Sequence, residues 1–339
     1  MQTVTRRVVL GTAAALPLSA PFINHALAAE FTFKVGHGLA PDHPTNIRLN
    51  EAAANVAKGT NGRMELRVFP ANQLGGETDM LNQVRSGALE VFLIGGLVVS
   101  SVVPMAALDG TGFVFKNFNQ VWPAMDGELG AFIRNAMMQQ SNLYFPRTIW
   151  DLGFRQITNS VRPINTVADL AGMKLRVPGA AAYVDLFKAL GASPVNMQFP
   201  EVYSAMQTHI VDGQENPLAL IATSRFYEVQ KHCSLTNHMW NGFWVLINGR
   251  AWQRLPSNLQ EIVENNFNAA GLKQRQDLAG LEASYHETIA KGGVTFNDKP
   301  DTDSFRARLK SVGYYADVRR KLGDKALALL EAASGTSLG

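Results

Sequence analysis

The pattern that most restricts this chain lies between Phe31 and Ile94, where the hydrophobic period switches repeatedly between two and about 3.6. Residues 31–37, FTFKVGH, alternate apolar and polar side chains as a strand with one covered face does. A helix is predicted over Asn46 to Lys58, stopped by Gly59 and the turn at Asn61-Gly62. Met64 to Phe69 alternates again and ends at Pro70. Gly76 to Leu89 then carries Met80, Leu81, Val84 and Leu89 on one helical face, ahead of an apolar strand at Val91 to Ile94. Strand–helix–strand–helix–strand in that order implies a parallel sheet with right-handed crossovers and a covering of helices. The fold class is therefore α/β.

A second cycle begins near Phe145 to Leu152. It continues with a strand at Met173 to Val177, a helix at Ala180 to Leu190 and a stop at Gly191-Ala192-Ser193-Pro194. Pro200 opens another helix to His209. Val211 to Pro217 forms a short strand running into a turn and helix, and Phe243 to Asn248 is a further apolar strand. From beyond Pro256 to about Lys291 runs a helical stretch longer than an average globular helix. Two more helices are expected near Asp303 to Ser311 and Ala316 to Ala333. No repeat or Gly/Ser linker separates the cycles, so two α/β lobes joined by several short crossings are expected, an arrangement that makes a hinge. A length of 339 residues agrees with two domains at about 150 each.

Composition removes several classes. With 46% apolar and 17% charged residues the chain is not disordered. No apolar run reaches the roughly 18 residues of a membrane-spanning helix. A single cysteine excludes a disulfide scaffold and a multi-cysteine metal site. A net charge of +3 is too weak a field for nucleic acid. The first 28 residues read as an export signal: Arg6 and Arg7, an apolar stretch from Val8 to Leu18, and the small-x-small site Ala26-Leu27-Ala28. Thr5 to Leu10 also resembles a twin-arginine signal. Cleavage near Ala28 removes both arginines and no acid, lowering the charge from +3 to +1. Cys233, alone in an oxidising compartment, is expected to be a buried apolar residue.

Catalytic motifs are absent. There is no Gly-x-Gly-x-x-Gly, phosphate loop, Gly-x-Ser-x-Gly elbow or His-Glu-x-x-His. His232, Cys233 and His238 lack the spacing of a metal site, because adjacent strand residues point to opposite faces. No enzyme, metal or cofactor is expected. Arg176, by contrast, ends a predicted strand, where open α/β sheets place ligands, and a guanidinium there holds a carboxylate by two parallel hydrogen bonds. The bland alternative is a solvated arginine or one paired with an acid such as Asp185. Arg155 is a similar candidate, and Asn216 is either a polar ligand contact or a turn residue.

At these residues the chain resembles the solute-binding proteins of tripartite ATP-independent periplasmic (TRAP) transporters, of the dicarboxylate-binding type. The matching stretches are His37 to Pro44, Gly62-Arg63-Met64, Gln73 to Glu77, Gly153 to Asn159, Asp169 to Pro178 and Glu201 to Gln207. The most specific are VDGQENP at Val211 to Pro217 and FYEVQK at Phe226 to Lys231, continuing through Ser234 to His238. The resemblance implies a two-lobe periplasmic-binding-protein (Venus flytrap) fold with a hinge and a long helix crossing both lobes. Lobe I would comprise residues 29–152 plus about 242–281, and lobe II residues 153–241 plus about 282–339. It also implies a monomer in the periplasm that captures a small organic acid and hands it to a small and a large membrane subunit. Arg176 would be the main carboxylate clamp, with Arg155 and Asn216 on the same group, and Glu77 and the stretch around His37 approaching from the other lobe. Trp150, Trp240, Phe243 and Trp244 flank the expected lobe crossings and suggest a flat or apolar ligand tail, whereas Asp151 and Asn241 suit hydroxyls. No second cationic pocket is evident, so a monocarboxylate such as an aromatic or keto acid is expected. The alternatives are a sugar acid or C4-dicarboxylate, or a sensory binding protein.

Overall fold

The computed structural model describes residues 29–338. The export segment expected in residues 1–28 lies outside the described residues. Strand β1 (Phe31–Gly36), helix α1 (Pro44–Gly59), β2 (Met64–Phe69), α2 (Glu77–Ser86) and β3 (Val91–Gly95) follow the hydrophobic periods of the first cycle. A stretch without strand signals then folds as α3 (Gly96–Val99), α4 (Phe118–Met125) and α5 (Glu128–Gln140). Next come the short β4 (Leu143–Tyr144) and the ten-residue β5 (Trp150–Asn159). The second cycle comprises β6 (Lys174–Val177), α6 (Ala181–Ala189), β7 (Ser193–Asn196), α7 (Val202–Gln207), β8 (Gly213–Pro217) and α8 (Leu218–Thr223). After β9 (His232–Ser234), β10 (Trp240–Asn248) and α9 (Gly249–Gln253) runs the 35-residue α10 (Ser257–Lys291). The chain closes with β11 (Thr295–Asn297), α11 (Thr302–Ser311), α12 (Tyr314–Leu322) and α13 (Asp324–Ser334).

The strands run in the order β2-β1-β3-β10-β5-β8-β6-β7. Within each lobe the pairs β1–β2, β1–β3, β6–β7 and β6–β8 are parallel, as expected. The sheet is nevertheless mixed. β10 is antiparallel to both β3 and β5, and β5 is antiparallel to β8. These two strands carry the chain between lobes in opposite senses, so their partners alternate in direction. Near its start β5 pairs with β10, and from Arg155 onward it pairs with β8. At the change of partner Gly153 has a φ of 99°, and the β10 register shifts between Trp240 and Gly242. The crossing is thus bent where only glycine adopts the backbone at little cost.

Two local expectations change. β5 starts at Trp150, later than Phe145, because Pro146 supplies no amide to a ladder. The single helix expected over Ala316 to Ala333 is two, broken at Gly323 with a φ of 88°. Cys233 is fully buried, and burial pushes its thiol well above the ordinary range. No helix among the described residues is long and apolar enough to cross a membrane.

α10 is the long brace. Its buried residues Leu259, Val263, Phe267, Gly271, Gln274 and Leu278 recur at intervals of three or four, a continuous stripe along one face. The helix packs on α1 and β5 in one direction and on α8 in the other, so it touches both lobes. Gln274 is fully buried: its Nε2 donates to the Asp151 carbonyl (2.8 Å) and Thr45 Oγ1 (3.1 Å), and its Oε1 accepts from the Asp151 amide (3.0 Å). One side chain therefore ties helix, crossing strand and α1 together. Three residues earlier, Gly271 lets the helix lie against Trp150, since an added Cβ would sit 2.7 Å from the indole nitrogen. Glycine to alanine in a helix ordinarily stabilises by up to about 1 kcal/mol. Here Gly271→Ala is expected to destabilise by about 1–3 kcal/mol through overpacking, read as a lower urea midpoint; a raised midpoint would refute the close approach.

Candidate ligand-binding site

Arg176 lies in β6 with a side chain completely withdrawn from solvent. Its Nε donates to the Met197 carbonyl (2.9 Å), and its guanidinium sits 5.6 Å from the centre of the Phe199 ring. Both terminal nitrogens, Nη1 and Nη2, make no hydrogen bond. The nearest acid is Glu77, whose Oε1 stands 3.7 Å from Nη2. Burial lowers the Arg176 pKa despite the attraction of Glu77 and Glu215. A guanidinium stays protonated even so, which makes this a buried cation with two free donors. The alternative partner Asp185 is elsewhere, held by Lys321 at 2.6 Å.

Arg155 is equally buried but fully engaged. Its Nε donates to Glu215 Oε2, and its Nη2 donates to Glu215 Oε1 (2.8 Å), the Glu215 carbonyl (2.7 Å) and Asn216 Oδ1 (2.9 Å). Nη1 reaches Asn241 Oδ1 at 3.3 Å. Burial opposes the charged form of Glu215, yet the Arg155 charge and the hydrogen bonds from His238 and Arg155 hold its carboxyl below the ordinary range. Burial also keeps His238 neutral, so its Nε2–H donates to Glu215 Oε2 (3.0 Å) while Thr236 Oγ1 donates to Nδ1 (2.8 Å). The charge of Arg155 is thereby cancelled locally, and that of Arg176 is not.

Both arginines line a narrow cleft whose free space is about 50 Å³ with the lobes in this arrangement. Glu77, Asn216, Asn241 and Tyr183 supply its other polar groups. Ile94, Val98, Leu152, Phe199, Leu220 and Phe243 supply apolar walls. The two lobes meet over it. The Phe199 amide donates to Glu77 Oε2 (3.1 Å), and Gln198 Nε2 donates to Thr78 Oγ1 (2.7 Å). An added Cβ at Gly76 would come within 2.8 Å of Gln198, so this glycine permits the approach.

Of the residues singled out in the sequence, Arg176, Arg155, Asn216, Glu77, Asn241 and Phe243 converge here. His37 does not line the cleft. Its Nδ1 accepts from the Leu39 amide (3.1 Å) and its Nε2 donates to Asn46 Oδ1 (3.2 Å), fixing the turn whose Gly38 and Leu39 do line it. Burial lowers its pKa to about 4. Trp150, Trp240 and Trp244 are core residues. Trp240 packs edge-on against Phe115 and Trp122 and donates to Asp151 Oδ1 (2.8 Å), which also accepts from the Gly153 amide (2.8 Å). Trp244 donates likewise to Asp109 Oδ2 (3.0 Å). Tyr183 and Phe199 were not foreseen. Tyr183 donates to Asn241 Oδ1 (3.1 Å) beneath Arg155, and it is the one polar-tipped residue on the buried face of α6. Among the described residues no group of three or more His, Cys, Asp or Glu is placed to hold a metal ion.

Two lobes closing over a buried, half-satisfied cation define a bilobed binding protein for small anions. The family model of the bacterial extracellular solute-binding proteins of family 7, DctP, matches residues 35–317, and the chain belongs to that family. It is a periplasmic carrier of TRAP transport, acts with TRAP-type membrane subunits on a small organic acid, and is not an enzyme. An uncharacterized protein of Sinorhizobium fredii is 37% identical over 91% of this chain, and the chain spans 57% of that protein's length. A solute-binding protein of Roseobacter denitrificans is 32% identical over 89% of this chain and 92% of its own; its crystal structure, with bound L-galactonate, superimposes with a TM-score of 0.83. A TRAP solute-binding protein from a Polaromonas species, bound to D-erythronate, is 29% identical with a TM-score of 0.85, covering 89% of this chain and 98% of that one.

Burial raises Asp109 and Asp151, the indole-bonded carboxyls, from 3.8 to about 7. The folded state therefore binds more protons than the unfolded chain between about pH 4 and 7. Each group's contribution is fully present below about pH 4 and is lost as pH rises toward 7, by about 1.4 kcal/mol per pH unit. Asp109→Asn keeps an acceptor for Trp244 and removes one such slope. Relative to wild type, the variant is expected to gain stability between pH 5 and pH 8 in urea denaturation; parallel pH profiles would contradict the buried-acid assignment.

Proposed function

We propose that this chain captures a hydroxylated monocarboxylate, a sugar acid, by lobe closure and delivers it to a small and a large membrane subunit. The observation that carries the reading is the pair of unbonded Arg176 nitrogens in the cleft. A carboxylate supplies two acceptors with the spacing a guanidinium requires, each bond contributing about 1.5–3 kcal/mol. Charge balance limits the ligand to one such group. Glu215 neutralises Arg155, and Glu77 occupies the facing lobe, so a second carboxylate finds no free cation in the cleft. Glu77, Asn216, Asn241 and Tyr183 instead suit hydroxyls, and Phe243 and Phe199 suit the C–H faces of a sugar chain. The expectation of an aromatic or keto acid rested on four aromatics, of which only Phe243 lines the cleft. The bound D-erythronate and L-galactonate of two relatives favour the same sugar-acid class.

We assign residues 29–152 and about 242–281 to lobe I, and 153–241 and about 282–339 to lobe II, with α13 reaching back onto α4 and α5. A monomer suffices, because both halves of the cleft come from one chain. Ligand contacts from both lobes exist together only in the closed form, so ligand shifts the population toward it and the membrane subunits read the shape. Moving a 1:99 population to 99:1 takes about 5.5 kcal/mol, the scale of two or three charge-assisted contacts.

Arg176→Lys leaves a single ammonium where two parallel donors are needed. A fall of about 100-fold in sugar-acid affinity, about 2.7 kcal/mol, is expected by calorimetry with the thermal midpoint of the empty protein little changed. Wild-type affinity in this variant, or a panel in which only uncharged compounds raise the wild-type midpoint, would overturn the reading.

A further inference from the structure

Glu77 combines three properties found in no other residue of the cleft. It comes from the lobe opposite Arg176, at the first residue of α2. One of its oxygens is committed, since Oε2 accepts from the Phe199 amide at 3.1 Å. The other, Oε1, stands 3.7 Å from Arg176 Nη2, one of the two unbonded donors. That separation exceeds a hydrogen bond, so Oε1 stands at the edge of the guanidinium as an acceptor turned toward whatever group flanks a carboxylate held by Nη2.

From this geometry we infer that Glu77 is a specificity-determining residue that selects acids bearing a hydroxyl on the carbon next to the carboxylate. The inference rests on the sugar-acid reading and sharpens it. A 2-hydroxyl is a donor: it satisfies Oε1 and separates the ligand carboxylate from that of Glu77. A 2-oxo group offers only an acceptor, so two oxygens with lone pairs would face each other in a nearly dry site. A 2-deoxy acid leaves Oε1 without a donor from the ligand, and a site built to bond a hydroxyl discriminates strongly against a ligand that lacks it. Arg155 does not supply an alternative donor there, because its Nη1 reaches Asn241 and its other nitrogens are held by Glu215 and Asn216.

The test uses the full mature chain and calorimetric titration with D-erythronate and galactonate, each beside its 2-deoxy and 2-oxo counterpart. Wild type is expected to prefer the 2-hydroxy acid by at least tenfold over both counterparts. Glu77→Gln retains a carbonyl oxygen for the Phe199 amide and adds an amide donor, so it accepts hydroxyl and oxo groups alike. Its preference should collapse to within about threefold, with the empty protein's thermal midpoint close to wild type. Retention of the full preference in Glu77→Gln, or its absence in wild type, would overturn the inference while leaving the sugar-acid reading intact. Failure of wild type to bind either aldonate or any counterpart would instead overturn that reading, and the inference with it.

Discussion

Two guanidinium groups buried in one cleft are the constraint around which the rest of this protein is arranged. A charge removed from water costs several kcal/mol unless partnered, and Arg155 and Arg176 also repel one another. The chain resolves one of the two charges internally. Glu215 receives Arg155 on both carboxylate oxygens, and neutral His238, oriented by Thr236, completes the coordination of that carboxylate. The other charge is left with one backbone acceptor on Nε, a ring beneath it and an acid too distant to bond. In the proposed reading this asymmetry suits a receptor: a pair fully closed on itself has no use for a ligand, and two open cations would admit a diacid. Removing Arg155 would leave Glu215 as an uncompensated buried anion, so the engaged arginine is a support for the free one.

The supports run outward from that cluster into the frame of the molecule. Arg155 stands on β5 two residues after the bend at Gly153, the point at which the strand leaves β10 for β8. The strand's approach to that bend is held from behind by Gln274 of α10, which bonds both the amide and the carbonyl of Asp151. The backbone that positions the arginine is therefore also the backbone that crosses from one lobe to the other. A hinge built this way has few free torsions: the bend is localised at a glycine and a register shift, and the helix behind it contacts elements of both lobes. Closure can then bring Glu77 and Gln198 to Arg176 and Thr78 as one movement.

Much of this was legible in residue order, and the failures are instructive. The periods between Phe31 and Ile94 specified the first lobe's elements to within a few residues, because β1 and β2 each alternate about a better-covered face and β3 is an unbroken apolar run. That Arg176 borders the cleft was legible from its place near the end of a strand. The tryptophans were misjudged because nearness to a lobe crossing says nothing about which side of the strand a residue takes. Alternation along β10 does say so: Asn241 and Phe243 face the cleft, while Trp240 and Trp244 face the core and bond Asp151 and Asp109. What no local pattern carries is the pairing of Arg155 with Glu215. The partners are far apart in sequence and become neighbours only when β5 lies against β8. Tyr183 was hidden for a related reason, since a tyrosine on the buried face of a helix reads as ordinary core until Asn241 arrives to accept its hydroxyl.

Glu77 illustrates how an ordinary local preference conceals a long-range role. An acid at the first residue of a helix is what the positive end of the helix dipole favours, and Asp79 in the same turn bonds the Gly76 amide. Nothing more is needed to account for Glu77 in α2 alone. Its setting changes once β7 of the other lobe delivers Phe199 and Gln198 across the cleft, an approach that depends on the missing side chain at Gly76. The carboxylate then acquires a backbone donor on one oxygen and faces the unbonded end of Arg176 with the other. A net charge that falls to +1 without the export segment could not attract an anion by its field. In the proposed reading, recognition comes from this short-range arrangement, in which one cation is left open and the nearest acid is held just beyond bonding distance.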